Sequence, residues 1–288
     1  MKLLLNEGNV DAGAQDVEGQ SALSLAAQHG NEEEVVKLLL SKNVDINTKN
    51  KDGRTPLSIA AEKGHEGVIN QLLALESVKV NSQYDNGRTA LWHAAANAFE
   101  SIVSLLLAHD DVDVNLKDNL GRTPLLHAID SKHEEVIELL LAADGFDVDA
   151  GDNDGRSPLL SAVASSDEVM AGLILAKGVQ TINAKDRFGR TLFFLAAREG
   201  MQEIVELLLT QDKIDVNSKD NEGYTPLHTA LDLGHSRIVQ LILSQNNIDI
   251  NSRNNHGWTP LQFASDHGYS QLVQLLLNQN NPNINWTL

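Results

Sequence analysis

Glycine recurs at a constant interval of 34 residues along this chain of 288 residues. Each of these glycines precedes a short run that contains serine or threonine, in most cases proline, and then an apolar residue. A repeat of this length is typical of a solenoid, in which each unit covers the hydrophobic face of its neighbour. Any function is therefore expected on an extended surface. The recurring glycines are Gly19, Gly53, Gly87, Gly121, Gly155, Gly189, Gly223 and Gly257.

The unit that begins at Asp52 shows the local structure that the repeat encodes. Thr55 is placed to cap a first helix with its hydroxyl, and Pro56 takes the first helical position, where a missing N–H costs nothing. Gly64 is expected to end that helix in a left-handed conformation. A second, leucine-rich helix and a short hairpin follow. The sequence thus predicts an all-α chain of antiparallel helix pairs joined by β-hairpin-like loops.

Four motifs of the repeat, taken from two successive units, resemble the ankyrin repeat. The resemblance covers nearly the whole chain and implies an ankyrin-repeat solenoid, although the interval of 34 residues is one longer than the usual period of that family. The Thr-Pro-Leu-His sequence of the family is complete only at residues 225–228. The motifs are Gly-Arg-Thr-Pro-Leu at 53–57, Ala-Ala-x-x-Gly-His at 60–65, Leu-Leu-Leu at 105–107 and Asp-Val-Asn at 113–115.

The period predicts eight repeats after a partial N-terminal unit at residues 1–16. Leu4 and Leu5 lie one period before Leu38 and Leu39, so the partial unit is expected to contain a second helix alone. Neither end shows the polar capping repeat that solenoids need for solubility. We therefore expect either a fragment of a longer array or end-to-end self-association. The predicted repeats are residues 17–50, 51–84, 85–118, 119–152, 153–186, 187–220, 221–254 and 255–288.

Composition restricts the class of function. Forty acidic residues against 22 basic ones give a net charge of −18, which opposes attraction to nucleic acid or to an anionic membrane and favours a basic partner. The chain has no cysteine, and residues 1–10 are too short and polar for a secretory signal, so we expect an intracellular protein. No apolar run approaches the length of a membrane span.

The histidines and glycines form no complete catalytic, metal or phosphate site. His133 begins a stretch like a zinc-protease helix, but the position of the second ligand is Ile137. His93 and His127 lie one period apart, yet two imidazoles lack the third ligand that catalytic zinc requires. Neither Gly-x-Gly-x-x-Gly nor Gly-Lys-Ser/Thr occurs. We therefore predict a protein that is not an enzyme and that uses no cofactor and no metal.

The resemblance implies that partners bind on a concave side lined by the loop tips and first helices. Five arginines and then two aromatic residues occupy one position there, and guanidinium groups fit an extended ligand that carries several carboxylates or phosphates. The alternative is that each arginine pairs with an aspartate of its turn, such as Asp52 or Asp154. The residues at this position are Arg54, Arg88, Arg122, Arg156, Arg190, Tyr224 and Trp258.

Leu120 and Phe188 directly precede their glycines and are expected to point outward at the tips. Exposed apolar residues beside arginines are typical of interface hot spots. The aromatic residues inside first helices are instead predicted to lie in the core: Trp92, Phe193, Phe194 and Phe263.

The loop asparagines Asn47, Asn115, Asn217 and Asn251 resemble positions at which family members can be hydroxylated. Turn formation by asparagine explains these residues without modification.

The sequence therefore predicts a non-enzymatic protein–protein interaction scaffold that binds a protein or an extended peptide on its concave surface. The runner-up is a regulatory or spacer segment of a larger multidomain enzyme or receptor. Direct binding of nucleic acid depends on the arginines alone and conflicts with the net charge of −18.

Overall fold

The computed structural model of the protein describes residues 10–30, 33–42, 44–84, 86–211 and 213–279, and sixteen α-helices lie in these ranges. The loops of the same ranges contain no β-strand, and one isolated antiparallel bridge joins Gln15 to Ser21. The predicted all-α fold is confirmed. None of the described helices is long and apolar enough to cross a membrane. Leu4 and Leu5 of the predicted partial unit lie outside the described residues.

First and second helices alternate along the chain. The first helices are α1 (Ala22–His29), α3 (Pro56–Lys63), α5 (Ala90–Ala96), α7 (Pro124–Ser131), α9 (Pro158–Ala164), α11 (Leu192–Glu199), α13 (Pro226–Asp232) and α15 (Pro260–Asp266). The second helices are α2 (Glu33–Leu40), α4 (Glu66–Leu73), α6 (Glu100–Leu107), α8 (Glu134–Ala142), α10 (Glu168–Leu175), α12 (Gln202–Leu209), α14 (Ser236–Leu243) and α16 (Ser270–Gln279).

A serine or threonine caps the start of every first helix, as predicted for Thr55. The Thr55 hydroxyl accepts a hydrogen bond from the N–H of Ser58 at 3.3 Å, and the Ser58 hydroxyl accepts one from the N–H of Thr55 at 3.0 Å. Gln262 and His228 close the same reciprocal pair in their own repeats. Ser58 and Gln262 thus replace the family histidine in their own repeats and satisfy the same N–H group.

Left-handed residues reverse the chain between the two helices of each pair. Gly64 has a φ of +79°, and a Cβ there would lie 3.0 Å from the ring of Phe99, so glycine suits both the conformation and the space. Three repeats lack this glycine and place Ala98, Lys132 or Ser166 in the same conformation, with φ from +54° to +58°. The predicted left-handed turn is confirmed, and it does not depend on glycine alone.

The helices form two compact units, Met1–Asn153 and Asp154–Leu288. Within each unit, first helices pack on first helices and second helices on second helices, so two layers enclose the core. In unit 1, α1 packs on α3 and α2 on α4. In unit 2, α9 packs on α11 and α10 on α12. Each leucine or isoleucine buried between the layers contributes about 1.5–3 kcal/mol.

The core prediction for the aromatic residues of the first helices is confirmed. Phe193 has no exposed surface, and the three others retain at most 7%. These others are Trp92, Phe194 and Phe263.

Asparagine side chains join successive loops within each unit. The Asn81 amide donates to the carbonyl of Asp111 at 2.7 Å, and its oxygen accepts from the N–H of Asp113 at 2.9 Å. The same pair of bonds recurs at Asn47, Asn115, Asn183 and Asn217. These residues include three of the asparagines that the resemblance marks for hydroxylation. The amides of these five asparagines connect their own loops to the next one.

Replacing Asn81 with alanine is expected to lower the free energy of unfolding by about 1–2 kcal/mol, because two inter-repeat hydrogen bonds are lost at an exposed site. Urea denaturation followed by circular dichroism measures this change. Asn97→Ala serves as the control, since the Asn97 amide donates to the carbonyl of His93 in its own helix. An equal loss in both variants would show that the inter-repeat bonds contribute nothing beyond a local bond.

Candidate functional site

Most of the turns that carry the predicted site are built on one aspartate or asparagine, whereas the turn of Arg88 has Tyr84 at that position. Oδ1 of Asp118 accepts hydrogen bonds from the N–H groups of Leu120 and Arg122, both at 2.9 Å. Asp186 does the same for Phe188 and Arg190, also at 2.9 Å. This geometry places the residue before the glycine at the tip of the turn.

The tips expose the apolar side chains that the sequence singled out. Leu120 is 58% exposed and Phe188 is 48% exposed, although both are large apolar residues. Trp258 is 38% exposed, whereas Tyr224 is half-buried. Exposed apolar groups at fixed positions on rigid turns are suited to contact a partner.

Arg122 and Arg190 are held by ion pairs inside their own turns. Nη2 of Arg122 lies 3.0 Å from Oδ2 of Asp118, and Nη2 of Arg190 lies 2.7 Å from Oδ2 of Asp186. Both aspartate side chains are only 2% exposed. The alternative interpretation, that an arginine pairs with an aspartate of its own turn, therefore describes Arg122 and Arg190. The partner lies four residues earlier, where the turn-forming carboxylate has its second oxygen available.

Arg54 has a neutral asparagine at that earlier position and pairs elsewhere. Its Nη1 donates to Oε2 of Glu62 in α3 at 2.9 Å. Burial raises the pKa of Glu62, but the hydrogen bond from Lys63 and the positive charge of Arg54 outweigh this, so the pKa lies below its usual value. The carboxylate of Glu62 thus remains ionised and neutralises Arg54.

Arg88 differs from these arginines because Tyr84 stands four residues before it. Its guanidinium lies over the ring of Trp92, 4.0 Å from the centroid. Among the described residues, no group forms a hydrogen bond or ion pair with the Arg88 guanidinium, and its buried Nε lacks a partner. Within the described part of the chain, the positive charge of Arg88 therefore has no ionic partner and lies on an aromatic surface.

Histidines and aromatic rings surround Arg88. His93 stacks on Tyr84 with ring centroids 5.3 Å apart, and His127 lies 4.4 Å from Trp92. Burial lowers the pKa of His93 to about 4, and Arg88 acts in the same direction against the negative charge of Glu62. Burial also lowers the pKa of His127. These imidazoles are therefore neutral at pH 7. We name Tyr84, Arg88, Trp92, His93 and His127 the Arg88 cluster.

Three of the predicted residues, Phe188, Arg190 and Tyr224, line a single cavity in unit 2. Its volume is about 400 Å³. Asp220, Glu222 and Asp232 also line it. We name this space, with these six residues, the Asp220 cavity.

Aromatic rings support one end of the Asp220 cavity and the turn that follows it. The Tyr224 ring meets Phe263 edge to face at 5.7 Å, and Trp258 meets Phe263 at 5.2 Å. Nε2 of His228 lies 3.1 Å from the carbonyl oxygen of Trp258. Burial lowers the pKa of His228, against the effect of that hydrogen bond. Tyr224 and Trp258, which follow the five arginines at this position, thus both pack on the buried ring of Phe263.

The remaining predicted arginines, Arg54, Arg122 and Arg156, do not line the Asp220 cavity. Arg54 and Arg122 lie beside the Arg88 cluster, with Arg54 5.4 Å from the Tyr84 ring and Arg122 6.0 Å from the Trp92 ring. Arg156 is half-buried in its own turn of unit 2. Sequence reasoning missed the roles of Tyr84 and Asp220. A comparison of the residues four before each arginine position would have marked both.

The chain is thus a protein of stacked helix pairs with its side-chain variation on the turns and first helices. A sequence model of the ankyrin-repeat family, described as ankyrin repeats (3 copies), matches residues 1–83, 66–152, 112–186, 143–220, 159–254 and 193–286. The chain belongs to the ankyrin-repeat family. Repeats of this family are generally protein–protein interaction modules and are typically non-enzymatic. No curated protein matches the chain.

Proposed function

We propose that the protein is a non-enzymatic interaction scaffold, and that a protein or extended peptide binds to its turns and first helices. The observation that carries this proposal is Arg88. A half-buried guanidinium over Trp92, with no ionic partner among the described residues, is poised to pair with a carboxylate of a partner. Arginine and tryptophan are also the residue types that dominate interface hot spots.

Exposed apolar tips offer further contacts in each unit. Leu120 in unit 1 and Phe188 in unit 2 each present a large apolar side chain to solvent, and Trp258 does so in a later turn. Burying such a side chain in an interface contributes about 1.5–3 kcal/mol. The five arginines contribute less to partner binding than their number suggests, because Arg54, Arg122 and Arg190 are already neutralised within the chain.

The test compares the proteins that the immobilised chain captures from cell extract, quantified by mass spectrometry. Arg88→Glu is expected to reduce capture of the specific partner at least about tenfold, because the variant places a negative charge against the partner's carboxylate. Arg237→Glu, the same charge change at an exposed position on α14, should leave capture unchanged.

Arg88→Gln separates charge from packing. This variant keeps a planar amide over Trp92 and is expected to weaken capture less than Arg88→Glu does. Circular dichroism confirms that each variant is folded. Capture that is equal for wild type, Arg88→Glu and a Leu120→Ser, Phe188→Ser double variant would refute binding at these residues.

A further inference from the structure

Asp220 in unit 2 has no arginine at the position where its counterpart in the preceding repeat, Asp186, has Arg190. Asp186 forms its turn with Oδ1 and binds Arg190 through Oδ2. Asp220 forms the same turn, accepting from the N–H groups of Glu222 and Tyr224 at 3.0 and 2.8 Å. The residue four positions later is Tyr224, which carries no cation. Among the described residues, no side chain donates to Oδ2 of Asp220.

The unpaired carboxylate lies in the wall of the Asp220 cavity. Two further carboxylates line that cavity, Glu222 and Asp232, and Tyr224 supplies an aromatic wall. Two arginines also line the cavity, and both are engaged, because Arg190 is paired with Asp186 and Nε of Arg198 lies 3.7 Å from Oε1 of Glu199. Negative charge therefore prevails, and a volume of about 400 Å³ is large enough for a long side chain.

We infer that the Asp220 cavity binds a basic side chain, arginine first, from a segment of a partner protein. The guanidinium would take the position on Oδ2 of Asp220 that Arg190 takes on Oδ2 of Asp186. Glu222 and Asp232 would compensate its charge, and Tyr224 would pack against its planar group. The net charge of −18 attracts such a segment over a distance. This inference rests on the proposed function and assigns a chemical class to one part of the partner.

A second aspartate, Asp16 in unit 1, also lacks an arginine, because Gln20 follows it at the fourth position. Asp16 is exposed and is not among the residues that line the cavity. It therefore provides a matched control, since the turn and the unpaired carboxylate are the same and the surrounding walls differ.

The probe is a capped pentapeptide with one arginine between alanines, titrated into the full chain while amide NMR shifts are recorded. The shifts are expected in the turns of Phe188 and Tyr224. A peptide with citrulline, the neutral isostere of arginine, should bind about tenfold more weakly, because the ion pair is absent. A peptide with glutamate should produce no saturable shift.

Asp220→Asn is expected to weaken the arginine peptide about tenfold without loss of the fold, because Asn50 and Asn254 form the equivalent turns in other repeats. Asp16→Asn should leave the affinity unchanged. Tyr224→Arg should abolish binding, because the new guanidinium would occupy Oδ2 of Asp220 from within the chain. Equal affinity for arginine and citrulline peptides, or binding that survives both Asp220→Asn and Tyr224→Arg, overturns the inference.

The result is separable from that of the capture experiment. If the peptide binds in an Asp220-dependent way but capture is unchanged by the Arg88 variants, binding of a basic side chain in the Asp220 cavity is supported and the proposed partner binding at Arg88 is refuted. If capture depends on Arg88 but the arginine peptide does not bind, the proposed scaffold function is supported and the inferred binding of a basic side chain is refuted.

Discussion

Phe193→Ala is expected to lower the free energy of unfolding of unit 2 by about 3–5 kcal/mol. Phe193 lies in α11, which packs between α9 and α13, and the side chain has no exposed surface. The variant loses the burial of the ring and leaves a cavity that close-packed neighbours fill only in part. Urea denaturation followed by circular dichroism measures the loss, and hydrogen exchange locates it in α9, α11 and α13.

Phe188→Ala is the matched control for this substitution. The same atoms are removed in the same unit, but the Phe188 ring is 48% exposed at a turn tip, so the loss should stay below about 1 kcal/mol. Equal effects at the two positions would contradict the division between core and surface aromatic residues. A small effect of Phe188→Ala would also make it suitable for binding experiments.

Acidification from pH 7 to pH 5 is expected to lower the free energy of unfolding by about 2 kcal/mol through His93 alone. The pKa of His93 in the folded chain is about 4, whereas an unfolded histidine titrates near 6.5. Between these values the unfolded chain binds the proton and the folded chain does not, so stability falls as the pH falls through this window. Urea denaturation at a series of pH values measures the change.

His93→Phe isolates this contribution. The phenyl ring retains the stacking position against Tyr84 and cannot take up a proton. The stability lost between pH 7 and pH 5 should therefore be about 2 kcal/mol smaller in the variant than in the wild type. An NMR titration of the His93 imidazole that gave a midpoint near 6.5 would contradict the burial argument directly.

The fold could be predicted from the sequence because its determinants are local and repeat. Thr55 and Pro56 define a helix start through the backbone of their own turn. The same local chemistry recurs at every repeat interval, so an error in predicting one segment does not affect the prediction of the others. The exposed positions of Leu120 and Phe188 followed from the same logic, since the residue before the glycine lies at the tip.

The pairing of the arginines could not be predicted in this way. Arg54, Arg88 and Arg122 occupy equivalent positions, yet one binds Glu62, one lies on Trp92 and one binds Asp118. The difference arises from residues four before or eight after the arginine, which approach it only when the turn and first helix have formed. These three arginines look equivalent in the sequence but therefore lie in three different electrostatic environments.

The repeat period, the helix pairs and the residues of the tips follow from the sequence, because they depend on capping, turn geometry and hydrophobic periodicity along a few residues. The pairing of the charges among the described residues follows only from the folded arrangement of the turns and helices. In the ranges that the structure describes, Arg88 has no carboxylate partner and Asp220 has no guanidinium partner, since a tyrosine stands at the partner position in each case. Whether a charged group is paired depends on distances across the turn and between neighbouring helices, and no period in the sequence specifies those distances.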